Sequence, residues 1–120
     1  MFFKKRKERK VLEFAENDPD YQFIIKKMGE LSSEVGGFEN LRCAKQNCQN
    51  PPAQIGRPII DYLYNKMSNQ DAKFIWYCAE HSADIEGKVN ANTTENERYV
   101  LNMKMQAYLL AMKSLANENI

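Results

Sequence analysis

A chain of 120 residues, 43% hydrophobic and 28% charged, has the composition of one globular domain and excludes a disordered or collagen-like chain. The formal net charge of +1 hides an asymmetry: residues 1–10 set six basic side chains against Glu8 alone, net +5, whereas the other 110 carry eleven basic and fifteen acidic groups, net −4. A mildly acidic body argues against a protein that wraps nucleic acid over its whole surface.

The first element, residues 1–17, is rich in helix formers, with a sparse apolar stripe at Phe3, Val11 and Phe14. Lys4, Lys5, Arg6, Lys7, Arg9 and Lys10 make it a basic N-terminal arm. Such an arm can contact nucleic-acid phosphates or an anionic lipid surface, or bind nothing and only solubilise. "MFF" runs directly into charges where a signal peptide would have an apolar stretch, and no segment reaches the ~20 apolar residues of a transmembrane helix. With three cysteines, an odd number, the expectation is a reducing, cytoplasmic location, the host cytoplasm if the protein is viral.

Residues 18–37 predict a helix with both ends marked. Asp18 can cap free amides, Pro19 suits the first helical position, and Gly36-Gly37 ends the run. Between them Ile24, Met28, Leu31 and Val35 recur on one helical face.

Residues 38–91 hold shorter apolar runs, three prolines, every cysteine and the only histidine. "AQI" and "KFIWYC" suit strands, because branched and aromatic side chains pack well on a pleated surface. "RPIIDYLYNKMSNQ" between them fits a short helix or a strand over residues 58–67, and Pro58 at its start favours the helix. Trp76 suits the core beside the cysteines better than a base-stacking platform.

Residues 92–120 predict a long helix. Thr94 and Glu97 form a capping box, which gives Asn92-Thr93-Thr94 a role in helix capping rather than glycosylation. Leu101, Met105, Tyr108, Met112 and Leu115 then form a heptad-like seam, for packing against the 18–37 helix or for a homodimer.

Cys43 and Cys48 enclose four residues, and Cys78 and His81 enclose two. Zinc takes four such ligands in a tetrahedron, usually as two close pairs, so Cys43, Cys48, Cys78 and His81 predict one Zn2+ per chain. Neither spacing is specific alone, since the first is at the long end of the usual range and the second is short. Together they use all the cysteine and histidine in the chain. The pattern over residues 42–87 resembles small zinc-ribbon and treble-clef-like modules with a Cys3His site. That resemblance implies a metal that builds the fold. Four ligands close the shell, whereas catalytic zinc keeps a position for water, and no glycine-rich phosphate loop or second histidine offers other chemistry. Glu80, between the second pair, reads as an exposed carboxylate rather than a general base.

The expected fold is therefore α+β, mainly α: N-terminal helices and a long C-terminal helix around a small zinc-stabilised module with a short β-hairpin, in a single domain. The expected function is that of a small non-enzymatic zinc-binding adaptor. Its partner would be a protein in transcription or other nucleic-acid machinery, with nucleic acid met through the arm. The alternative is a structural or assembly subunit of a larger particle such as a phage virion, an origin that the twelve asparagines, typical of AT-rich coding, would suit.

Overall fold

The structure is a computed structural model that describes the backbone from Phe2 to Glu118 and the side chains of residues 8–116. Five α-helices follow in chain order: α1 (Phe2–Asn17), α2 (Pro19–Val35), α3 (Gly56–Ser68), α4 (Ala79–Asn92) and α5 (Glu95–Glu118). A single 3-10 turn, Phe38–Asn40, follows α2.

The helix ends show why the chain breaks where it does. Asp18 separates α1 from α2 with extended backbone, and its side chain accepts a hydrogen bond from the Asp20 amide at 3.0 Å. Gly36 ends α2 at φ 79°, a left-handed conformation that costs glycine nothing. At the start of α5 the capping box is reciprocal: the Thr94 amide donates to Glu97 Oε1 and the Glu97 amide to Thr94 Oγ1. Each cap satisfies amides that a helix leaves unpaired.

Helix α5 is the spine. It packs along α1 and α3, and α4 packs against α3. Ala15 of α1 and Ala107 and Ala111 of α5 are buried in the common core, and side chains this small let helices approach closely. Tyr108, Ile24 and Ile59 are fully buried and bring α5, α2 and α3 into the same core. Burying such a side chain contributes on the order of 1.5–3 kcal/mol.

Four rings continue the core outward. Phe23 stacks on Tyr62 at 5.1 Å, Tyr62 meets Phe74 edge-on at 6.3 Å, and Phe74 meets Trp76 edge-on at 6.3 Å. This file of rings links α2 and α3 to the extended segment that leads into Cys78.

Several expectations need correction. The α+β class with a β-hairpin does not hold: every regular element among the described residues is a helix, with no strand among them. The segments around Ala53 and "KFIWYC" carry no regular structure, and isolated bonds join them to their neighbours. The Ala53 amide donates to Tyr77 O at 3.0 Å, and the Ala44 amide to Trp76 O at 3.0 Å. A ladder needs alternating donors and acceptors, and Pro51 and Pro52 remove two donors beside Ala53. Residues 79–91, placed in the zinc-stabilised module with no helix of their own assigned, belong to helix α4. Residues 58–67, ambiguous in sequence, lie within helix α3.

The α5 seam also shifts. Leu101 and Tyr108 are buried and Met105 and Met112 half-buried, but Leu115 is 44% exposed. Tyr21 of α2 reaches α5 at Tyr108, with ring centroids 5.5 Å apart, while most of the length of α5 faces α1 and α3. On α1 it is Ala15, with Val11 and Leu12, that turns inward, and Phe14 is 51% exposed.

Candidate metal centre

Cys43 and Cys48 sit on a tight turn. The Cys48 amide donates to Lys45 O at 3.0 Å, and Asn47 closes the turn at φ 67°. Asparagine is among the few residues that adopt this left-handed backbone readily, so Asn47 in "CAKQNC" is a local turn signal. The Cys43 amide donates to Asn50 O at 2.9 Å and holds the base of the loop.

The second pair comes from the start of α4. Cys78 is its N-cap residue, with extended backbone at φ −72° and ψ 172°, and His81 lies in the first turn. A spacing of three residues at a helix start puts both side chains on one side.

Tertiary structure brings the pairs together. One donor atom from each of Cys43, Cys48, Cys78 and His81 lies within 4.8 Å of the other three. His81 Nδ1 is 3.2 Å from Cys43 Sγ and 3.3 Å from Cys78 Sγ. Zinc bonds of about 2.3 Å to sulfur and about 2.0 Å to nitrogen give a tetrahedron with S–N edges near 3.5 Å and S–S edges near 3.8 Å. The two S–N distances lie close to that edge, and the four residues could hold a metal ion. All three cysteines are free, so no disulfide competes for the sulfurs.

The surroundings favour anionic sulfur. The His81 amide at the start of α4 is the chief influence that pulls the Cys78 thiol down to about 6, helped by the Asn50 side-chain amide, whose Nδ2 is 3.7 Å from Sγ. Burial pushes the Cys43 thiol up, but the amides of Cys78 and Lys45 outweigh it, and the net shift is downward. At Cys48 the Asn50 amide lowers the value, yet burial and the two neighbouring sulfurs raise it overall. Cys43 and Cys78 hold His81 toward its charged form. Three sulfurs this close cannot all be anions without a cation among them, and a divalent ion relieves that repulsion.

Hydrogen bonds from beyond the four residues hold the two pairs in place. Trp76 Nε1 donates to Ala53 O at 2.8 Å, which pins the loop after the first pair to the segment before the second. Arg57 Nη1 donates to Ala79 O at 2.9 Å and ties the start of α3 to the start of α4. Cys43 and Cys78 are buried, while Cys48 and His81 are partly open to solvent. Glu80 is exposed.

Of the other residues singled out in sequence, Arg9 and Lys10 are exposed on α1. The side chains of Lys4, Lys5, Arg6 and Lys7 lie outside the described residues, as does that of Phe3. Near Lys10, a groove between α1 and α5 of about 780 Å³ is lined by Phe14, Tyr99, Val100 and Met103, with Lys10 and Lys104 beside them. Tyr99, Val100 and Met103 are each at least half exposed. The heptad-like seam gives no sign of this face, because Tyr99, Val100 and Met103 all lie off it. No described helix is long and apolar enough to cross a membrane.

Compared with known proteins, the chain matches no family model, no curated protein and no solved structure, so the candidate site rests on its own geometry.

Proposed function

We propose that Cys43, Cys48, Cys78 and His81 bind one zinc ion as a structural centre, in a small non-enzymatic adaptor that docks a protein partner. The observation that carries this reading is the convergence of four donor atoms from two distant segments within 4.8 Å. Three sulfurs and one imidazole nitrogen suit zinc better than the oxygen-preferring magnesium or calcium. Four protein ligands fill a tetrahedral shell, and this supports a structural rather than a hydrolytic role.

The metal has a clear physical task. Residues 41–55 contain no α-helix and no strand and contribute little apolar burial beyond Leu41, Cys43 and Ala53. Structural zinc in small fingers contributes on the order of 10–16 kcal/mol at pH 7. That is comparable with the whole stability of a typical domain, about 5–15 kcal/mol.

The docking reading is supported by the exposed groove between α1 and α5. Its apolar lining beside Lys10 and Lys104 complements an apolar partner segment with acidic flanks. A role in transcription or other nucleic-acid machinery would bring phosphates within reach of the basic arm.

Two measurements test the proposal. Metal analysis of freshly purified, reduced protein should find one zinc per chain, and less than a tenth of an equivalent in folded protein overturns the centre. Capture from the native host should recover a protein that resists nuclease treatment and is lost with Val100→Glu. A chain that instead assembles with itself into large particles favours the assembly-subunit alternative.

A further inference from the structure

A second cavity lies on the side of α3 that faces α4 and α5, apart from the sulfur cluster, with a volume of about 450 Å³. Ile60, Val89, Leu101, Met105 and Leu109 supply apolar walls. Its size falls within the range of small-molecule sites. Gly56 helps to keep it open, because a Cβ there would come within 3.0 Å of Met105 Sδ.

Two polar side chains line this apolar space without a partner. Asp61 of α3 is only 5% exposed, and its carboxylate, which feels the charge of Arg57, keeps some contact with solvent and takes no side-chain hydrogen bond among the described residues. Ser82 of α4 is 1% exposed, and its hydroxyl is the one buried side-chain polar atom left unsatisfied among the described residues. Leaving a buried hydroxyl such as that of Ser82 without a partner costs roughly 1–3 kcal/mol. Arg57, whose charge acts on Asp61, is already engaged: it pairs with Glu86 at 3.0 Å and donates to Ala79 O at 2.9 Å. Arg98, also at this cavity, donates to Asn90 O at 3.3 Å.

We infer that the cavity between α3, α4 and α5 binds a small organic amine, with its ammonium group on Asp61 and Ser82 and its apolar body against Val89, Leu101 and Met105. An ammonium group has three donors and no acceptor, which matches a carboxylate and a hydroxyl that both have acceptor capacity to spare. A bare metal ion would leave the apolar walls unfilled, and an anion would meet Asp61. Burial pushes the Asp61 carboxyl up to about 6, with Arg57 opposing and Glu86 reinforcing the shift. At pH 7.5 it is therefore mostly ionised, and an aliphatic amine is protonated.

The test uses the full-length chain as purified, at pH 7.5, with 2-phenylethylamine and hexylamine as probes. The neutral controls are 2-phenylethanol and hexanol. Titration calorimetry should show the amines binding one per chain with a Kd of 1 mM or tighter, and the alcohols at least tenfold weaker. Asp61→Asn should weaken amine binding at least tenfold and leave the alcohols within twofold. Amines that bind no better than alcohols, or not at all up to 10 mM, overturn the inference, as does a folded Asp61→Asn protein that binds amines normally. The comparison of amine with alcohol in the unaltered protein decides the matter even if the variant does not fold. None of these outcomes depends on which metal the sulfur cluster holds.

Discussion

Tyr108 and Asp18, 90 residues apart in sequence, share a hydrogen bond of 2.6 Å from the phenol to Asp18 Oδ2, while Asp18 Oδ1 caps α2. One carboxylate therefore starts a helix and anchors the fully buried ring of α5. Burial and the Asp18 carboxylate push the Tyr108 phenol well above its usual value, so it stays a donor at neutral pH. Lys104 at 3.9 Å and Lys66, which pairs with Asp20 at 2.5 Å, complete a charged border around this contact.

Tyr108→Phe should keep the ring packing and lose the bond, at a cost of about 1.5–3 kcal/mol for a hydrogen bond to a charged acceptor. Asp18→Ala should cost about 1 kcal/mol more, because it also removes the cap. Urea denaturation of both single variants and the double variant checks the coupling, and the double variant should cost less than the sum of the two singles. Strict additivity would mean that the bond contributes nothing.

Removal of the metal should loosen residues 41–55 and the start of α4 before the α1–α5 core. Chelator treatment followed by hydrogen exchange should show protection lost first at Cys43, Cys48 and Ala53, whose amides are held by the loop's own carbonyls and by Tyr77. Cys48→Ser should lower zinc affinity by at least tenfold. His81→Cys should retain the metal, and His81→Ala should weaken it. A His81→Ala protein with unchanged zinc affinity would remove His81 from the ligand set.

Asp61 should leave a signature in the pH dependence of stability. Between about pH 4 and 6 the native state holds a proton that the unfolded chain has released, so stability falls as pH rises through this window and levels off above it. A window about two pH units wide corresponds to about 3 kcal/mol at most. The charges that face Asp61 are Arg57 on its own helix, Glu86 from α4 and Arg98 from α5. Denaturation of the wild type and Asp61→Asn at pH 4.5 and 7.5 checks this. The difference between the two proteins cancels the contributions of His81 and the thiols, and the variant should gain stability relative to wild type as pH rises.

The arm and the groove can be separated by salt. If the partner sits in the α1–α5 groove, Phe14→Ala should weaken the complex by about tenfold or more, nearly independently of ionic strength. If residues 4–10 bind phosphate, neutralising them should flatten the salt dependence of nucleic-acid affinity by roughly 0.7–0.9 per lost contact. Binding isotherms at 50 and 200 mM salt decide between the two, and a partner unaffected by both changes would have to meet another face.

What the sequence determined by itself is what neighbouring residues settle among themselves. Asp18-Pro19, Gly36 and the Thr94–Glu97 box are legible because capping joins groups no more than four residues apart. The candidate ligand set is legible because only four side chains in the chain are cysteine or histidine. Helix α4 is not, since Ser82 and Gly87 interrupt the apolar period that Ile85 and Val89 would otherwise announce. The expected hairpin rests on β propensity, which measures fit to a pleated surface, and the described residues build none. Only tertiary structure decided that Phe14 faces outward while Ala15 faces the core, and that Asp61 and Ser82 line one cavity. The reason is physical: one helical turn presents several faces, and which face is buried depends on neighbours supplied from far along the chain.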